Sequence, residues 1–152
     1  MNPFARLVGF AHCVIAQLAW PQSLFLLFAR LFVGLAFFRA GLTKLQDWDA
    51  TVFLFQEEYH VPLLPPEFAA YAGTAGELVL PVLLFGGLAT RFAAAGLSVV
   101  NLVAVLSLTE IAPAALMQHQ LWGALLLAVV LWGGGRLALD RWLAPRLGRQ
   151  GG

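Results

Sequence analysis

The stretch FAAYAGTAGELVLPVLLFGGL, Phe68–Leu88, decides the fold of this chain. A helix needs about 20 mostly apolar residues to cross the hydrocarbon of a bilayer, and this run supplies them with one charge, Glu77. Three further stretches share the property. Leu24–Leu42 is interrupted by Arg30 and Arg39, and Phe92–Thr109 carries Ser98 and Asn101 as its notable polar residues. Leu116–Gly135 follows Pro113 and ends in the run Gly133-Gly134-Gly135. The pattern predicts an all-α integral membrane protein: one membrane domain, built as an antiparallel bundle of four transmembrane helices.

Composition points the same way. Of 152 residues 61% are hydrophobic and 11% charged, with a mean hydropathy of +0.81. Soluble domains carry about twice that share of charge, and a small domain cannot bury so much apolar side chain in one core. The net charge of +1 gives no electrostatic footprint for nucleic acid. Cys13 stands alone, which excludes an intramolecular disulfide and any paired-cysteine redox or zinc motif within the chain, and it reads as a packing residue. The segment FARLVGFAHCVIAQLAW, Phe4–Trp20, resembles a signal peptide superficially, but His12 before Cys13 fits a lipoprotein cleavage site poorly. We read it as an uncleaved N-terminal helix that lies along the interface or extends the first span.

Lys and Arg distribution sets the orientation. With four spans, Arg6, Arg91, Arg136, Arg141, Arg146 and Arg149 fall on the side of the termini, against Lys44 alone opposite. Both termini, including the tail 136–152, are therefore expected on the cytoplasmic side of a bacterial inner membrane. The external loop 45–67 begins DWDATVFLFQEEY, which predicts an amphipathic helix on the membrane face with Trp48 and Tyr59 as interfacial anchors. Pro62, Pro65 and Pro66 stop it, and Glu67 suits the start of the next helix.

The buried charges are the chemistry-bearing residues. On the first span, Gly34, Phe37, Gly41 and Lys44 lie within about 40° of Arg30 at 100° per residue, whereas Arg39 falls on the opposite face. A charge in hydrocarbon is costly and seeks a counter-ion. Glu77 is the one acid inside a span, and two cations compete for it. Glu77 sits roughly 14 Å below the outer start of its helix, so Arg39 is the better match in depth, while Lys44 shares the glycine-lined face. Arg30 is left for Asn101, backbone carbonyls or a lipid or cofactor head group. Pro81 removes the donor for the Glu77 carbonyl, which favours a polar cavity beside the carboxylate. Glu77, Arg39 and Lys44 are thus the candidate buried charge site, and Arg30, Gly34, Gly41 and Phe37 the candidate quinone or head-group face. No metal-ligand spacing appears; His60 and His119 read as surface histidines. The aromatics Phe37, Phe38, Trp122 and Trp132 read as lipid-facing or interfacial, with a quinone pocket as the other possibility.

The order Arg30, Gly34, Gly41-x-x-Lys44, Glu77 and Gly87-Leu88-Ala89-Thr90-Arg91 resembles the DoxX family of small bacterial membrane proteins, over about Arg30 to Leu143. The stretches LFQEEYHVPLLPPEFAAYAGTAGE and LWGALLLAVVLWGGGRLALDRWL resemble the branch associated with biosynthesis of modified, metal-handling peptides. Arg30, Gly41, Lys44, Glu77, Thr90 and Arg91 map onto the family pattern; Arg39 departs from it. The resemblance implies a link to membrane redox chemistry, since the family takes its name from a subunit of a thiosulfate:quinone oxidoreductase. The expected function is redox-associated and quinone-linked, as a subunit of a larger assembly. Its partners would be membrane lipids and other membrane or periplasmic subunits, and a homo-oligomer is compatible with the sequence. An anchor or adaptor in a metal-handling or peptide-maturation system is the alternative, and a small transporter the third.

Overall fold

A computed structural model describes the backbone of residues 3–147 and the side chains of residues 17–143. Six helices follow in order: α1 (Pro3–Gln46), α2 (Trp48–Glu57), α3 (Pro66–Gly86), α4 (Thr90–Ser107), α5 (Pro113–Trp132) and α6 (Leu139–Leu147). Four are long and apolar enough to cross a membrane: Gln17–Gln46 within α1, then α3, α4 and α5.

The helix ends follow from local chemistry. Pro66 and Pro113 open α3 and α5, where a missing backbone donor costs nothing and φ is already helical. Gly87 and Gly133 close them with φ of 66° and 77°, a conformation that glycine adopts without a Cβ penalty. These caps explain why α5 starts at Pro113 and stops at Trp132, both about three residues earlier than hydropathy suggests. Asp47 caps α2, its carboxylate accepting from the Ala50 amide at 2.9 Å.

Around the bundle α1 packs on α3, α3 on α4, α4 on α5, and α5 back on α1, closing a four-helix ring. Neighbours run antiparallel: Gly34 of α1 faces Phe85 of α3, and seven residues on Gly41 faces Leu78. The centre is filled by Leu26, Val33, Leu84, Leu97, Leu126 and Val129. Phe28, Val79, Val99 and Leu127 are exposed, as a bundle solvated by lipid requires.

Three features sharpen or change the sequence reading. The N-terminal segment continues into α1 as one helix that passes through Pro21, the second of its two expected arrangements. The readings of Arg6, His12 and Cys13 lie outside the described side chains. Helix α2 does not merely rest on a membrane face: Phe55 is buried with Ala69 and Ala70, and Trp48 packs on Tyr71 at 4.6 Å. The His60 amide then donates to the Ser107 carbonyl at 2.8 Å, which ties the loop down at the far end of α4. Finally, the tail holds a helix, α6, docked back onto the α3–α4 turn by the Asp140 amide donating to the Gly87 carbonyl at 2.9 Å.

Candidate functional site

Glu77 finds its cation on the glycine-lined face. Lys44 Nζ lies 2.5 Å from Glu77 Oε2, with the two side chains 22% and 10% exposed. Gly41 makes this approach possible, because a Cβ there would stand 2.9 Å from Leu78 and 3.1 Å from the Glu77 Cβ. Arg39, the better match in depth, is exposed. Its position is five residues, and therefore about 140°, from Lys44 around the helix. Rotation decided the pairing, since a lysine at the end of a span can extend its flexible stem inward to correct its depth.

The pair forms part of the wall of a cavity of about 410 Å³ at the α2 end of the bundle. Its sides are apolar, from Ala36, Phe37, Val99, Val100 and Val103, and Phe55, Tyr59, Val61 and Leu64 close it from the loop side. Burial, then the charges of Glu58 and Glu77, push the Tyr59 hydroxyl above its ordinary range, so it keeps its proton and stays a donor. Of the residues set aside as a quinone or head-group face, Phe37 lines this cavity. Gly34 is covered by the Phe85 ring, and Gly41 by Leu78 and Glu77.

Arg30 is committed elsewhere. It is 1% exposed. Its Nε donates to the Leu84 carbonyl at 2.8 Å, Nη2 to Phe85 at 2.9 Å and Nη1 to Gly134 at 2.9 Å. The last carbonyls of α3 have no intrahelical donor, and the guanidinium caps them while pinning the glycine turn after α5. Backbone carbonyls are thus its partners, and Arg30 is no longer free to hold a head group. Gly87 is required beside it: a Cβ there would sit 2.6 Å from Arg30 Nη2 and 2.7 Å from the Ala138 Cα.

Two clusters escaped the sequence reading. Asp140 of α6 accepts from the Ala89 amide at 2.7 Å, the Thr90 amide at 2.8 Å and the Thr90 hydroxyl at 2.6 Å, and so caps α4 from a distant segment. Partial burial opposes its ionisation, but the Thr90 and Ala89 hydrogen bonds and the Arg30 charge together hold the carboxyl below the ordinary range. The second cluster lies in the cavity wall. His119, read from sequence as a surface residue, is half-buried there. Its Nδ1 lies 2.8 Å from Asn101 Oδ1, and Asn101 Nδ2 donates to the His119 carbonyl at 3.0 Å. The imidazole packs edge-on against Trp122 at 5.0 Å, and Trp122 against Phe37 at 5.4 Å. Among the described residues, Trp122 Nε1 is buried without a hydrogen-bond partner.

The arrangement of Arg30, Gly41, Lys44, Glu77 and Thr90 thus has a structural account residue by residue. The sequence model of the DoxX family matches residues 25–110. The chain belongs to the DoxX family. No curated protein and no solved structure matches it significantly. The match runs from α1 through the end of α4, so this DoxX protein draws Lys44, Glu77 and Asn101 from the matched segment and His119 and Trp122 from beyond it.

Proposed function

We propose that this DoxX protein binds the ring of a membrane quinone-type lipid in the α2-end cavity, and that it works as a redox-linked subunit of a larger assembly in the bacterial inner membrane. One observation carries the reading: an apolar cavity of about 410 Å³ has a charged Lys44–Glu77 pair in its wall. Binding sites for small molecules have that size and that character, mostly apolar with a few placed polar groups. The residues present fit such a ring. Phe37 and the valines of α4 supply apolar contact, Tyr59 supplies a hydroxyl, and Trp122 brings a buried N–H that no group among the described residues takes.

A quinone supplies two-electron chemistry coupled to protons when bound. The chain's part is to orient the ring, exclude water from it, and take up and return a proton at the Glu77 carboxylate, which rests ionised against Lys44 Nζ. With a single cysteine in the sequence, electrons would come from a partner subunit or directly from a small substrate. The cavity end would face the periplasm. Arg91, Arg136 and Arg141 at the opposite end support a cytoplasmic placement of the termini.

The test is co-purification and binding. Protein extracted in mild detergent should carry membrane quinone detectable by mass spectrometry, and the stripped protein should bind a short-chain alkyl benzoquinone or its reduced form. Phe37→Ala and Glu77→Gln should each lower that occupancy. Protein that carries no quinone and binds neither added ring would refute the reading.

A further inference from the structure

The cavity wall selects between forms of its ligand, an inference that rests on the ring-binding reading above. The starting point is the pair of contacts between Asn101 and His119. The His119 backbone carbonyl can only accept a hydrogen bond, so the Asn101 group 3.0 Å from it must be the amide nitrogen. That places Oδ1, an acceptor, against His119 Nδ1 at 2.8 Å. Reversing the amide would set oxygen against oxygen at one contact. Nδ1 must therefore carry the imidazole proton.

The other ring nitrogen follows. Among the described residues no carboxylate reaches ion-pair distance of His119, the Lys44–Glu77 bridge being the one such pair they form. A cationic imidazole without a counter-ion inside a span is costly, so the ring is neutral and Nε2 holds a lone pair. No protein group in the described residues donates to it. The ring cannot easily turn away, since Asn101 is buried, 7% exposed, and Trp122 packs against the imidazole at 5.0 Å with an interplanar angle of 81°. His119 and Trp122, about one helical turn apart on α5, both line the cavity, and among the described residues His119 Nε2 is left as an unused acceptor and the buried Trp122 Nε1–H as an unused donor.

A ketone oxygen only accepts, so it can satisfy Trp122 and leaves Nε2 unmet. A hydroxyl both donates and accepts. We propose that the cavity holds its ligand in a hydroxyl-bearing form, a hydroquinone or comparable phenol, through a hydrogen bond donated to His119 Nε2, with Asn101 as the positioning residue that fixes the imidazole for that role.

Three probes separate the possibilities, measured by calorimetry on the intact protein in lipid nanodiscs under argon: a decyl-substituted hydroquinone, the corresponding benzoquinone and the dimethyl ether of the hydroquinone. The hydroquinone should bind about tenfold more tightly than the other two, about 1.4 kcal/mol and the worth of one good hydrogen bond. In His119→Phe, which keeps an aromatic edge against Trp122, that preference should fall to within about twofold while benzoquinone affinity stays put. Equal or tighter binding of the benzoquinone to the wild-type protein would overturn the inference and leave the ring-binding reading standing, as would a preference that survives in His119→Phe. Should that variant fail to fold, the wild-type comparison of the hydroquinone with its dimethyl ether decides alone. If none of the three probes binds, both readings fall together.

Discussion

Replacing Arg30 by Met tests the interpretation of the bundle most directly. The guanidinium makes three hydrogen bonds of 2.8–2.9 Å to carbonyls on two separate segments, the end of α3 and the turn after α5. Charge-assisted bonds of this kind contribute about 1.5–3 kcal/mol each. Set against them is the cost of holding a guanidinium at 1% exposure, several kcal/mol that Met would not incur. Met also keeps part of the packing. Removing one side of a buried charged arrangement usually costs about 3–5 kcal/mol, because the groups left behind are uncompensated, and the loss of the donor to Phe85 and Gly134, with Leu84 left only the Gly87 amide at 3.2 Å, puts Arg30→Met in that range. Arg30→Lys should recover less than half, since a single ammonium cannot fork between α3 and Gly134. Arg39→Met is the internal control: it is exposed and should change stability by less than about 0.5 kcal/mol. Unfolding in mixed micelles, titrated with SDS and followed by circular dichroism, gives all three values. An Arg30→Met variant within about 1 kcal/mol of wild type would refute the clamp and return Arg30 to the pool of ligand-binding candidates.

The Lys44–Glu77 bridge should behave as a coupled pair. Lys44→Met and Glu77→Gln should each destabilise by roughly 1–2 kcal/mol in the same assay, a value moderated by the 22% exposure of Lys44. The double variant Lys44→Met/Glu77→Gln should cost less than the sum of the two, and strict additivity would show that the charges do not interact. Asp140 gives a pH dependence of definite sign. Its folded-state carboxyl ionises below the ordinary value, so the stability it contributes is present above about pH 4 and is lost as the pH falls through the folded value. Asp140→Asn should be less stable than wild type at neutral pH, and the difference should shrink on acidification below about pH 4; a pH-independent difference would contradict this.

How much of this was legible in the sequence depends on what kind of partner each residue has. Spans were readable because length and hydropathy are properties of the segment itself. The Lys44–Glu77 bridge was readable as one of two options, and helical rotation, with Gly41 and Lys44 on one face, was the better guide than depth. The partners of Arg30 were hidden in a different way. Backbone carbonyls have no side-chain signature, so nothing in Leu84, Phe85 or Gly134 announces an acceptor. Asp140 lies in a tail that reads as merely basic, and its role appears only once α6 is docked on the α3–α4 turn. The Asn101–His119 contact, by contrast, had a usable signal. In an antiparallel α4–α5 hairpin centred near residue 110, positions 101 and 119 are equidistant from the turn, so a mid-span asparagine points to the histidine across from it. The same symmetry brings Arg91 to the Leu131 carbonyl at 3.2 Å.

The Arg30 clamp also constrains how the chain is made. Gly134 follows Arg30 by 104 residues, and at about 5–20 residues per second it emerges roughly 5–20 s later. For the first half of that interval α1 can already be in the membrane while its guanidinium has neither the α3 carbonyls, 54 and 55 residues on, nor the glycine turn to bind, and for the second half it still lacks the glycine turn. A lone arginine in lipid is drawn toward interfacial water, so α1 must begin in a shallower or shifted position than its final one. Its last movement into the ring then waits for α5, which makes bundle closure a step that follows insertion and depends on the far end of the chain.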